Sequence, residues 1–401
     1  MEFKQKLKIV LFATILLVIV CLLTSQQNRT FLVLNKNWTK QIGEQVRHND
    51  EQTHGQCPVS VLMDGHWKAH PRSPSEDTEA DNMLGVQFPG FKDLLNFQRS
   101  NGQCGNVTHL QYQRIRALCH PKGPTPCCYQ NTCTKKSVEE CVCPNCYDIR
   151  QQKLAEYSSW LPSKPSCSVH SYTRGEICDI LKGSTIHFVG DSLMRHMYYV
   201  LLQKLGVPLR DIFEPQAPKD ECQFHGIFAE RSCLRYVKSP RTVCDGNKLL
   251  SYTSYFYSQN GPQLYQDTLK MLQKPKTLLF TGIGYHVHFN HESVCTQYIK
   301  PIAQLLQDKK SRWPKLLWLE VNAPGFVRAP KDYDKVVADV KVFKKKLEEC
   351  LQSYKTPILK TYNMSSDLLS FDGVHYGFGF NSMKINLLLS FLREWRESGD
   401  W

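Results

Sequence analysis

From residue 184 to the carboxyl terminus, short apolar runs alternate with longer stretches in which apolar residues recur every three or four positions. The first pattern marks buried strands and the second amphipathic helices. Strands are expected at Ser184–Val189, Leu249–Tyr257, Thr277–Thr281, Leu316–Val321 and Pro357–Thr361. Helices are expected at Leu193–Leu205, Gln263–Leu272, Val294–Leu306, Lys331–Leu351 and Phe380–Trp395. Such alternation implies parallel βαβ units. The expected fold class is therefore α/β, a three-layer α/β/α sandwich around a parallel sheet, over residues 179–401. Residues 57–178 show neither period and are rich in Cys, Pro and Gly. They predict a loop-rich subdomain held together by disulfides.

The amino-terminal pattern differs again. Lys4, Lys6 and Lys8 precede an uncharged apolar run, Ile9–Leu23. Leu7 and Thr24 extend it to about 17 residues, the lower limit for a bilayer-spanning helix. The chain then reads as a cytoplasmic tail (1–8), a transmembrane signal anchor (9–24), a polar lumenal stem (25–56), the Cys-rich subdomain (57–178) and the sandwich domain (179–401). A cleaved signal peptide, with secretion, is the alternative. The residues after the run, Thr24-Ser25-Gln26-Gln27, make a weak cleavage site, which favours the anchor. The basic flank stays cytoplasmic and the rest becomes lumenal. A short span suits a thin Golgi membrane, so a single-pass type II topology there is expected.

Composition agrees with this picture. Hydrophobic residues at 41% and charged residues at 22% describe a mostly globular chain. Of 17 cysteines, Cys21 lies in the apolar run, where an apolar role outweighs acylation. The other 16 form an even set that an oxidising lumen would pair. Sequons stand at Asn28, Asn37, Asn106 and Asn363. The net charge of +13 serves solubility first, and attraction to an acidic glycan or membrane surface second. Nucleic acid is excluded as a partner by compartment.

The candidate chemistry begins where the first strand meets the first helix, at Phe188-Val-Gly-Asp-Ser-Leu-Met-Arg195. Ser192 is placed at a helix amino terminus, beyond the carboxyl end of a strand, where α/β sheets form their sites. Free N–H groups and the helix dipole there can hold a developing oxyanion. Gly190 permits the sharp turn, and Asp191 can cap the helix or brace the loop. Arg195, three residues on, either holds a substrate oxygen or forms a surface salt bridge. A serine needs a base. Phe371-Asp-Gly-Val-His-Tyr-Gly377, just before the last helix, offers Asp372 and His375, with Asp orienting the imidazole that takes the serine proton.

These two blocks together resemble the SGNH, or GDSL-type, hydrolase superfamily. The chain is most similar to its PC-esterase and trichome-birefringence-like branch, which includes membrane-anchored polysaccharide O-acetyltransferases. Trp160-Leu-Pro162, Cys167, Cys57 and Gly65-His-Trp67 resemble the segments that precede the nucleophile in that branch. The resemblance spans roughly residues 57–401. It implies an acyl-enzyme on Ser192 and a glycan or polysaccharide hydroxyl as acceptor, with an unspecified acyl donor. One departure is clear: the family's Gly-x-Asn block reads Gly284-Tyr-His286 here. Ser192 N–H, Gly284 N–H and the His286 side chain are thus the expected oxyanion donors, with Arg195 and Asp191 further candidates for substrate contact.

Three functions stay open on this reading. The first is a lumenal acyltransferase, acetyl foremost, acting on glycan hydroxyls. The second is a carbohydrate O-acetyl esterase that uses water, and the third a catalytically silent, disulfide-rich binding protein. No cofactor and no metal are expected. His286, His288 and His291 lack a carboxylate cluster beyond Glu292, and Cys141, Cys143 and Cys146 with Cys127-Cys128 favour disulfides over zinc in a lumen. Redox activity of Cys143-Pro-Asn-Cys146 lacks the expected helix context. Asn322-Ala-Pro-Gly325 reads as a turn that could line the acceptor site. Trp313 and Trp318 read equally as core or as sugar platforms.

Overall fold

The computed structural model describes residues 57–87, 97–110, 112–218, 222, 231–244, 246 and 248–401. The expected tail, anchor and stem, with Cys21, Asn28 and Asn37, lie outside the described residues. Among the described residues no helix is long and apolar enough to cross a membrane.

An antiparallel ribbon of β1 (Gly65–Ala69) and β2 (Ser158–Pro162) precedes helix α1 (Arg174–Ile180). The chain then runs through β3 (Thr185–Gly190), α2 (Ser192–Lys204), β4 (Arg241–Val243), β5 (Lys248–Ser254) and α3 (Gly261–Met271). It continues through β6 (Thr277–Gly282), α4 (Lys300–Asp308), β7 (Lys315–Leu319), α5 (Pro330–Ser353), β8 (Ile358–Leu359) and α6 (Phe378–Glu397). Six strands form one sheet in the order β8-β7-β6-β3-β5-β4.

Side chains alternate across this sheet with the period of two that strands impose. Ile186 and Phe188 of β3, Leu278 and Phe280 of β6, and Leu317 and Leu319 of β7 pack in one core with α2 and α6. Val189, Leu279, Leu316 and Trp318 point the other way, into a second core with α3, α4 and α5. The sandwich therefore has three layers, as the pattern predicted.

Local departures have local causes. The sheet is mixed, because β4 pairs antiparallel with β5 at the edge. A strand of three residues carries no readable period. The strand expected to reach Tyr257 ends at Ser254, and the Tyr257 N–H goes to the Asn260 side chain instead. The strand expected over 357–361 shrinks to two residues, since the Thr361 N–H and hydroxyl donate to Glu320. The helix expected from Val294 opens as a π-type turn, Val294–Ile299. Pro301 has no N–H for an ordinary ladder at that point.

All 16 cysteines other than Cys21 are paired: 57–167, 104–128, 119–133, 127–141, 143–146, 178–244, 222–233 and 295–350. The loop-rich segment is also bound into the sandwich. Leu62, Trp67 and Trp160 share the core of α2 and α6, and the Trp67 indole N–H donates to the Met364 carbonyl at 2.6 Å. Arg116 lies buried with its guanidinium 4.1 Å from the centre of the Tyr147 ring, and its Nε donates to the Phe326 carbonyl at 2.8 Å. Cys57–Cys167 closes a 110-residue separation. Replacing both partners by Ser is expected to lower unfolding free energy by about 2–5 kcal/mol. Chemical denaturation of the double variant measures this, and an unchanged midpoint would contradict it.

Candidate active site

Strand β3 is the topological switch point: the chain returns to one side of it for β5 and to the other for β6. Ligands of open α/β sheets bind in the crevice so formed. Gly190 is level with Ser254 of β5 and Gly282 of β6, so three loops leave the sheet together. A Cβ on Gly190 would lie 2.2 Å from the Gly282 carbonyl oxygen and 2.7 Å from Met194 Cγ. Its φ of +152° also excludes most side chains. The turn that follows is tight, and Asp191 caps α2 by accepting the Leu193 N–H at 3.0 Å. Ser192 opens the helix, so its own N–H has no carbonyl beneath it and faces outward.

The three residues expected to act together do meet. Ser192 Oγ lies 2.7 Å from His375 Nε2, and His375 Nδ1 lies 2.6 Å from Asp372 Oδ2. Asp372 Oδ1 accepts the N–H groups of Val374 and His375 at 2.9 and 2.8 Å. Burial alone would raise the Asp372 pKa, but the neighbouring imidazole and these backbone donors hold it down to about 2. An ionised carboxylate on Nδ1 selects the tautomer that leaves Nε2 free to accept from the serine.

The loop carrying Asp372 and His375 is fixed from two sides. From the sandwich, Gly325 N–H donates to the Gly373 carbonyl at 3.0 Å, and the Tyr376 hydroxyl donates to the Ala323 carbonyl at 2.7 Å. Asn322-Ala-Pro-Gly325 thus braces the loop of Asp372 and His375. From the Cys-rich segment, Lys153 N–H donates to the Asp367 carbonyl at 3.0 Å, and Lys153 accepts the Leu369 N–H at 2.8 Å. Glu156 Oε1 accepts the Gly379 N–H in the first turn of α6, also at 2.8 Å. Burial raises the Glu156 pKa. Neither Lys153 nor Glu156 stands out in the sequence, because each acts across more than 200 positions of chain.

The loops after β5 and β6 leave the sheet level with the end of β3. Gly284 is buried, and a Cβ there would meet Val321 Cγ1 at 2.3 Å, which accounts for the glycine. The His286 ring stacks on Phe256 at 5.0 Å and 18°, with Tyr257 edge-on at 6.0 Å. The His286 charge reaches the buried Asp191 carboxyl, whose pKa burial raises and His286 lowers. Phe256 and Tyr257 were absent from the sequence-derived candidates; an aromatic pair just past a strand's carboxyl end was the available signal. Trp318 packs inside the second core and Trp313 is buried against Trp401, so neither is a sugar platform. Among the described residues, the close groupings of ligand-type side chains consist of disulfide cysteines, once with Asp148.

Arg195 corrects the surface reading of α2. Every residue from Leu193 to Leu202 is buried, so the helix has no solvent face in its first half for a salt bridge. The Arg195 Nε and the Lys384 Nζ both lie buried without hydrogen-bond partners, and the His196 ring lies 4.9 Å from that of His375. Burial lowers the Lys384 pKa to about 7, against the opposing pull of Asp191. The sign follows from linkage: between that value and the ordinary 10.5, the unfolded chain holds the proton and the folded one does not. The resulting cost is full below pH 7 and fades as pH rises. Lys384→Met is therefore expected to raise stability at pH 6–7 and to flatten its rise toward pH 9. Thermal unfolding of both forms across that range measures this; parallel curves would contradict it.

No protein-family model matches the chain, and no curated protein does either. Among solved structures it is similar to a member of the lipolytic G-D-S-L family from Veillonella parvula, at 10% identity and TM-score 0.31, covering 51% of this chain and 96% of that one. It is also similar to an α/β hydrolase enzyme from the metagenome of Lake Arreo, Spain, at 12% identity and TM-score 0.31, covering 53% and 96%. A third is an acetylxylan esterase from Geobacillus stearothermophilus, at 12% identity and TM-score 0.30, covering 54% and 95%.

Proposed function

We propose that the protein is a serine-dependent acyltransferase of the secretory-pathway lumen that moves an acyl group, acetyl foremost, onto a glycan hydroxyl. The carrying observation is the unbroken relay from Ser192 through His375 to Asp372, at 2.7 and 2.6 Å. His375 Nε2 takes the Ser192 proton as Oγ attacks the acyl carbonyl of the donor. The bond to the donor's leaving group breaks, and His375 returns the proton to that group. The acceptor hydroxyl then gives its proton to His375 and attacks the acyl-serine carbonyl. Oγ leaves and regains the proton. The Ser192 and Gly284 N–H groups are assigned to the oxyanion, where one donor is worth about 2.7–4 kcal/mol.

The acceptor is assigned to the loops after β5 and β6. Phe256 and the 44% exposed Tyr257 offer aromatic faces to the apolar side of a sugar ring, and His286 offers a polar edge. The compartment is inferred from the eight disulfides, which need an oxidising lumen. The apolar run at 9–24 supports a Golgi-type signal anchor. Asn106 and Asn363 are exposed, as glycan attachment requires.

The test combines a serine-reactive fluorophosphonate with an acetyl-ester donor in the presence of an oligosaccharide. Ser192→Ala is expected to abolish labelling, and Asp372→Asn to lower kcat about 10³–10⁴-fold. Equal labelling and turnover in wild type and Ser192→Ala would overturn the catalytic reading. Partition of the acyl group to water alone, with sugar present, would make the protein an esterase.

A further inference from the structure

The edge of the sheet opposite Ser192 is cationic. Lys182 precedes β3, Lys274 and Lys276 precede β6, Arg312 precedes β7, Lys315 begins it, and Lys355 precedes β8. Because these strands are parallel, the fold gathers all of these positions at one edge. Part of that edge is concave. A cavity of about 530 Å³ is lined by Lys310, Arg312, Lys315 and Lys355, with Tyr354 and Trp395 as aromatic walls and no acidic side chain in the lining. Its size falls in the range of small-ligand sites.

Two compensations are present and neither balances the charge. Lys315 pairs with Asp400 at 3.7 Å. Lys310 and Lys355 lie just past the carboxyl ends of α4 and α5, whose dipoles supply roughly half a negative charge each. Four cations against one carboxylate and two half-charges leave roughly +2 at the cavity. Lys310, Arg312 and Lys355 have no carboxylate within ion-pair distance among the described residues, and Arg312 donates to the Gly399 carbonyl instead.

We propose that this cavity is a binding site for a sulfated or carboxylated polysaccharide, separate from the Ser192 site and independent of the function assigned there. The charge calls for a polyanion. The concave form with two aromatic walls suits sugar rings carrying acidic groups. A flat anionic bilayer fits less well. The exposed large apolar side chains among the described residues, Leu110, Val142, Leu161, Tyr257 and Val342, line none of the cavity, so the site has no apolar group of that kind to insert. A polyanionic chain held here would leave the Ser192 edge open.

Full-length protein in neutral detergent is applied to immobilised heparin over a salt series, and to vesicles containing anionic lipid. Wild type is expected to bind heparin with strong salt dependence. The triple variant Lys310→Ala, Arg312→Ala, Lys355→Ala is expected to bind at least about tenfold more weakly, with a salt slope reduced by about 2–3. A control with the same charge loss on the exposed side of α5, Lys331→Ala, Lys341→Ala, Lys345→Ala, is expected to stay within about threefold of wild type. Single reversals, Lys310→Glu or Lys355→Glu, should each weaken binding, and unchanged near-ultraviolet circular dichroism guards against misfolding. The proposal is overturned if wild type does not retain heparin, if both triple variants lose affinity equally, or if anionic vesicles bind as tightly as heparin and are lost in the same cavity variant.

Discussion

Everything at the candidate site hangs on the contact between the ends of β3 and β6. The Gly282 carbonyl occupies the space a side chain at Gly190 would need, 2.2 Å from its Cβ position. Two strands can close this far only with glycine at that point. The closure turns the chain sharply into α2, puts Ser192 on the first helical position and leaves its N–H outward. It also sets the loops after β5 and β6 beside the serine, because Gly190, Ser254 and Gly282 are level in the sheet. The positions of Ser192, of the Gly284 loop and of the Phe256–Tyr257 pair are consequences of one backbone approach.

The second requirement is that His375 be held against Ser192 although it follows the outermost strand, β8. No ladder of the sheet does this. The loop is instead held by hydrogen bonds from the 322–325 turn and by Lys153 and Glu156 of the disulfide-bonded segment. The Cys-rich region thereby helps to position the loop of Asp372 and His375. Its disulfides limit the freedom of the segment that delivers Lys153 and Glu156, so cross-linking far from the serine bears on the geometry at it.

Burial beneath Ser192 works against stability. Asp191, Arg195, His196 and Lys384 lie at or near full burial around α2, and Asp191 Oδ2, Arg195 Nε and Lys384 Nζ have no hydrogen-bond partner among the described residues. Such groups are costly in a low-dielectric interior. Buried polar groups of this kind are found where a site holds a field that a hydrocarbon core could not supply. The two faces of the molecule then differ in kind: a tuned, partly apolar edge at Ser192, and a solvated cationic edge at the opposite ends of the same strands.

The α/β class, the positions of the main strands and helices, the pairing of the cysteines as a set, and the trio Ser192, Asp372 and His375 were all legible in the sequence. Each rests on a local signal: apolar period, cysteine parity, or a residue type tied to a glycine turn. The two-residue β8, the three-residue β4 and the π-type turn before α4 were not legible, since so short a stretch carries no period. Arg195 stayed open between substrate contact and a surface salt bridge, because spacing along one helix says nothing about how many sides that helix buries. Glu156, Lys153, Phe256 and the cavity of Lys310 and Lys355 came only from the tertiary structure. Their contacts join residues distant in the chain, and what brings such residues together is the packing of the sheet and its layers.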